Sequence, residues 1–284
     1  MPGISGTFTL LALFIAGYLL AMVVAFLLTT VFAACLGDAA IDADNMLVVS
    51  MTAYVIMFVP PMMYAGYKSR SNAAFGTGYA LDSNHFGSYG LWAVALVASV
   101  ATLAASVVTD PLTLLLPEMP DGLSDAMKMM TQGPLLLSLF SVSVLAPIFE
   151  EWLCRGMVLR GLLRNVRPVW AIVISAAFFA LLHLNIWQAI PAFLLGCLFG
   201  YAYYRTGSLK ITMIMHCVNN TFAVIMSRPE SLRDADSLSE VMSPAAYAIL
   251  LIVGAAAIVL FIRMLGRIPL EHSAGNCDPV ENGL

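Results

Sequence analysis

No Asp, Glu, Lys or Arg occurs before Asp38. A charge-free run of that length has no polar face to offer water. In hydrocarbon, an α-helix satisfies every backbone N–H and C=O within its own segment. The pattern then recurs along the chain. A crossing takes about 20 apolar residues at roughly 1.5 Å each, and predominantly apolar runs fall near 8–36, 46–66, 91–109, 135–159, 168–184, 187–204, 211–227 and 242–262. Charged residues make up 11% of the chain, against about 25% for a soluble domain. The expected fold class is therefore an all-α integral membrane protein with about eight transmembrane helices. The stretch from Pro168 to Tyr204 has no charge and is too long for one crossing, so "HLNIW" and Pro191 are read as a break within it.

Basic residues favour cytoplasmic loops. With the N-terminus inside, eight crossings place Lys68, Arg70, Arg160, Arg164, Arg167, Arg205, Lys210, Arg263 and Arg267 on the inner side, with Arg155 just within the membrane. Only Lys128, Arg228 and Arg233 fall outside. The expectation is that both termini are cytoplasmic, in a multi-pass protein of the cell membrane; seven crossings invert part of this pattern. The first segment lacks the basic n-region of a signal peptide and is expected to be a crossing. Net charge is −4 with no basic patch, so the lipid bilayer is the expected partner and nucleic acid is not. The five cysteines lack CxxC spacing and read as small apolar residues rather than a disulfide framework. The loop at 117–133 reads as an amphipathic interfacial helix, and the tail after Arg267 is polar.

Against this background a few polar residues stand out. Glu150, Glu151 and Arg155 lie in the apolar run 135–159, and a carboxylate inside a crossing needs a partner or a task. Glu151 and Arg155 are four apart and can pair on one helix face, which a purely structural ion pair also explains. Glu150 has no charged neighbour at that spacing. His183 ("FFALLHLN") and His216 ("MIMHCVNNT") are the two histidines in apolar surroundings; each alone could be a core histidine bonded to a backbone carbonyl. Asn220 lies one turn beyond His216 on its face, while Asn219 points elsewhere. Counted from the nearest basic residue at ~1.5 Å per residue, Glu150 and Asn220 lie about 15 Å deep, His216 about 9 Å and His183 about 24 Å. His183 joins the others only if its helix starts outside the hydrocarbon or tilts.

"EEWLCR" matches EExxxR, "FALLH" matches FxxxH and "HCVNN" matches HxxxN, in this order and each on a separate expected helix. The set resembles the CPBP family of intramembrane proteases, which comprises the CAAX prenyl endopeptidases and the bacterial Abi (bacteriocin-processing and immunity) proteins. The resemblance covers about 135–227 and implies a catalytic core there, formed by helices four to seven. Residues 1–134 then carry the first three crossings and the interfacial segment, and 228–284 the last crossing and the tail. It implies Glu150 as the essential glutamate, with Arg155, Phe179, His183, His216 and Asn220 completing the motifs.

The implied activity is hydrolysis of a peptide bond in a membrane-associated, prenylated or otherwise hydrophobic peptide or protein. Glu150 would take a proton from water, with His183 helping to hold that water. His216 and Asn220 would face the oxyanion, and Glu151 and Arg155 would fix the pose of Glu150. A divalent metal such as zinc on Glu150, His183 and His216 leaves a fourth position for water; the resemblance implies a metalloprotease as the leading expectation, with a metal-free, glutamate-activated water as the other route. No HExxH motif is present. A proton- or ion-coupled transporter would also bury such groups but calls for inverted repeats, which the sequence lacks. A non-catalytic immunity or scaffold protein is the other alternative.

Overall fold

The computed structural model describes residues 3–37, 43–74, 83–233, 235 and 237–270. The polar tail beyond 270 lies outside the described residues. Each apolar run forms a helix. In chain order these are α1 (Ile4–Leu36), α2 (Ala43–Ala74) and α3 (Gly90–Thr109), the last followed by a tight 3-10 turn at Asp110–Leu115. Next come the short α4 (Asp121–Gln132), within the loop expected to be interfacial, and the long α5 (Leu135–Leu162). Then follow α6 (Pro168–Leu182), α7 (Ile186–Thr206), α8 (Leu209–Met226) and α9 (Pro244–Gly266). No strand occurs among the described residues. The outward faces carry exposed Phe26, Leu96 and Ile252, side chains that lipid can cover and water cannot. The molecule is an all-α, multi-pass integral membrane protein.

Seven of these helices are long and apolar enough to cross a bilayer. The eighth, α6, has 15 residues, a rise of only about 22 Å. Local chemistry stops it early. Leu184 adopts φ 55°, a left-handed conformation that ends the helix, and the Asn185 side chain accepts from the Gln188 amide to cap α7. The break expected at "HLNIW" is therefore real. It leaves α6 short, with His183 at its C-terminal end.

The chain enters at one end of the bundle, where Ser83 and His85 donate from their amides to the carbonyls of Gly207 and Thr206. At the same end Arg205 donates to the carbonyls of Leu265, Gly266 and Ile268. At the other end Arg228 donates to the carbonyls of Thr131 and Gly133. Two apolar cores form between the helices. One gathers Leu10, Phe14, Phe58, Leu153, Phe178 and Phe179 from α1, α2, α5 and α6. The other gathers Val94, Ala98, Phe199, Met215 and Phe261 from α3, α7, α8 and α9. The polar residues singled out in the sequence lie along the seam between them.

Candidate active site

The two glutamates sit on a short α-helical stretch, Ala146–Glu151. It is flanked by π-helical segments at Leu139–Leu145 and Trp152–Leu159. Such wide turns are rare and concentrate at functional sites. Pro147 supplies a local reason for the first. It has no N–H to offer the Ser143 carbonyl and its ring crowds that oxygen, so the helix must widen before it.

Glu151 is fully buried and joins two helices. Its Oε1 accepts from Arg155 Nη1 at 2.7 Å and from His216 Nδ1 at 2.9 Å. Arg155, equally buried, donates through Nη2 to the Gly196 carbonyl at 3.0 Å. Its guanidinium lies 4.7 Å from the Phe179 ring centre and 5.4 Å from that of Phe199, one aromatic ring from each core. A buried charge is costly unless partnered; here the carboxylate, two ring faces and a carbonyl share it, while Arg155 Nε and Glu151 Oε2 have no hydrogen-bond partner among the described residues. The Gly196–Gly200 pair lets α7 approach α6 closely. A Cβ at Gly196 would lie 3.1 Å from the Cβ of Ala176, and one at Gly200 3.1 Å from Ile172 Cγ2.

Glu150 faces another direction. Its Oε1 accepts from the Tyr54 hydroxyl of α2 at 2.5 Å. Its Oε2 lies 3.8 Å from His216 Nε2, too far for a hydrogen bond, and has no hydrogen-bond partner among the described residues. Because His216 donates from Nδ1 to Glu151, Nε2 carries a proton only in the imidazolium form. A carboxylate pair thus embraces one imidazole, Glu151 bonded to Nδ1 and Glu150 facing Nε2.

His183 stands apart from this pair. Its Nδ1 donates to the Phe179 carbonyl at 3.1 Å, which leaves Nε2 as the acceptor of the neutral ring. The link to His216 runs through Phe179, whose ring meets His183 edge-on at 5.1 Å and His216 edge-on at 5.4 Å. The depth difference between the two histidines is thereby bridged by one aromatic side chain. Asn220 donates to the Val142 carbonyl at 2.7 Å, within the first π-helical segment. Asn219 does not point away from the site, as adjacent helical positions suggest. Its amide donates to Asn220 Oδ1 at 3.0 Å and its carbonyl accepts from Ser106 of α3 at 2.8 Å; the long amide arm makes up the angular difference.

Both histidines hold Nδ1–H on an oxygen, the arrangement that orients metal-ligating imidazoles. The positions do not follow. Among the described residues no group of three His, Cys, Asp or Glu side chains converges as a ligand set. Glu150 and His216 approach each other, and His183 is not gathered with them. The Glu150–His183–His216 set does not fit a metal as arranged.

A cavity of about 500 Å³ lies beside Glu150, between α1, α2 and the first half of α5; Tyr54, Met57, Ser141 and Ala146 are among its lining residues. It occupies the second half of α1 and the first half of α2. That is the end of the bundle away from the chain's start, whereas counting from basic residues places the site nearer the basic end.

Residues 132–222 match the family described as Type II CAAX prenyl endopeptidase Rce1-like. The match covers less than half of the chain and marks this segment as similar to that family. The matched segment holds Glu150, Glu151, Arg155, Phe179, His183, His216 and Asn220; Tyr54 and Ser106 lie outside it. The chain is 31% identical over 106 residues to the membrane-embedded CAAX protease MroQ of Staphylococcus aureus (strain USA300), covering 34% of this chain and 42% of that one. It is 29% identical over 84 residues to YdiL of Bacillus subtilis (strain 168), named there as a candidate membrane peptidase, covering 30% of this chain and 34% of that one. The matched stretches thus span less than half the length of each relative. No solved structure matches the chain significantly.

Sequence reasoning missed four contributors: Tyr54, Ser106, Phe199 and the Gly196 carbonyl. Tyr54 left one trace, a hydroxyl in the otherwise apolar run "VIMF" and its approach, but its partner is set by tertiary packing.

Proposed function

We propose that this chain is an intramembrane endopeptidase that hydrolyses a peptide bond of a hydrophobic, membrane-associated or prenylated peptide, with both termini cytoplasmic. The observation that carries the reading is the free Glu150 Oε2 facing His216 Nε2 across 3.8 Å, beside an apolar cavity. The family match and the two relatives support it.

In this reading a water bound at Oε2 gives its proton to Glu150 while its oxygen bonds to the scissile carbonyl carbon. The carbonyl π pair moves onto oxygen. His216, as the imidazolium held by Glu151, donates from Nε2 to that oxyanion, and Asn220 offers the amide N–H not used by Val142. Preorganised donors of this kind are worth about 3–4 kcal/mol each in the transition state. Collapse of the tetrahedral species breaks the C–N bond, and Glu150 returns the proton to the leaving amine. His183 Nε2, an acceptor in the neutral ring and set apart from Glu150, is left to accept the substrate's N–H. Glu151 and Arg155 hold His216 and the helix in register.

The reading is tested by comparing membrane peptides from cells carrying the native chain with those carrying Glu150→Ala. Loss of at least one processed peptide is expected; identical profiles contradict an endopeptidase.

A further inference from the structure

Tyr54 lies on α2, outside the segment that matches the Rce1-like family, yet its hydroxyl is the only protein donor to Glu150 among the described residues. Packing fixes its ring. Tyr54 lies 5.3 Å from Phe58, and Phe58 lies 5.2 Å from Phe149, the residue preceding Glu150. A buried tyrosine hydroxyl needs a partner, and here that partner is the carboxylate. The terminal torsion of a glutamate is soft and broadly two-fold. Holding Oε1 from one side therefore decides where Oε2 points, and the hydrogen bond directs it toward His216.

The geometry points to Tyr54 as a positioning residue for Glu150, supplied by a helix outside the matched segment and carried on the wall of the apolar cavity. The same ring lines the cavity of about 500 Å³ together with Met22, Met46, Met51 and Met57. Anything that seats an apolar chain there touches the residue that aims the carboxylate. This inference rests on reading Glu150 as the proton acceptor.

Two readouts on the full chain in detergent or vesicles separate the claims. The first uses dicyclohexylcarbodiimide, an apolar reagent for membrane carboxyls, with modification at each glutamate followed by mass spectrometry. Tyr54→Phe keeps the ring and removes the hydroxyl; the freed Glu150 is expected to react about tenfold faster, the scale of one hydrogen bond to a charged group. Glu151, held by Arg155 and His216, serves as the folding control and is expected to stay slow. Unchanged labelling of Glu150 overturns the positioning role. The second readout is cleavage of a fluorogenic apolar peptide selected because the native chain cleaves it. Tyr54→Phe is expected to lower kcat about tenfold with KM unchanged; native kcat overturns the inference while leaving the endopeptidase reading intact. Native-rate cleavage by Glu150→Gln instead removes the reading on which it rests.

Discussion

Replacing Arg155 by Met tests how the buried network is held. The side chain is fully buried, bonded to Glu151 at 2.7 Å and to the Gly196 carbonyl at 3.0 Å, and faces two aromatic rings. Methionine fills much of the same space and preserves contact with Phe179 and Phe199. The loss is electrostatic: Glu151 keeps only His216, and its buried charge loses its main compensation. Breaking a buried pair by removing one partner costs about 3–5 kcal/mol. For a chain of this size, 1 kcal/mol moves the midpoint by about 2–4 °C, so thermal unfolding in detergent should fall by roughly 6–20 °C. The double variant Arg155→Met, Glu151→Leu removes both charges and should recover part of that loss, with a coupling above about 1 kcal/mol. A single variant within about 1 kcal/mol of the native chain, or strict additivity in the double, would refute the network as described.

Gly196→Leu should destabilise the chain by at least about 1–3 kcal/mol in thermal unfolding, because the α6–α7 contact at Ala176 already stands at 3.1 Å from an added Cβ. Ser106→Ala removes the donor to Asn219 and frees the Asn219–Asn220 pair. A loss of about 1 kcal/mol of positioning, roughly fivefold in cleavage rate with little change in unfolding midpoint, is expected from kinetics and calorimetry. Dialysis against a strong chelator should leave cleavage unchanged, since three ligands do not converge among the described residues; inhibition reversed by added zinc contradicts the water-only mechanism.

The helices were legible because charge is excluded from long stretches of this chain, and backbone satisfaction in hydrocarbon permits little else. The break between α6 and α7 was legible in Asn185, whose capping side chain acts locally. The short length of α6 was not, since a helix can end within a bundle when its turn packs there. Glu151 and Arg155 were legible as a pair by spacing alone. The bond from Glu151 to His216 was not, because it joins residues 65 positions apart. Helical angles separated Asn219 from Asn220 correctly for the backbone and wrongly for the side chains, whose amides meet at 3.0 Å. The π-helical turns around the glutamates had one sequence signal, Pro147, while Tyr54 came from a helix with no motif at all.

The most direct test places purified full-length protein in vesicles with an apolar peptide that the native chain cleaves, and compares it with Glu150→Gln. The glutamine keeps the shape and the Tyr54 contact but cannot accept the water's proton. Cleavage should drop by at least ~100-fold, the lower range for losing a general base, with the unfolding midpoint retained. Cleavage at the native rate would show that residue 150 is not the proton acceptor.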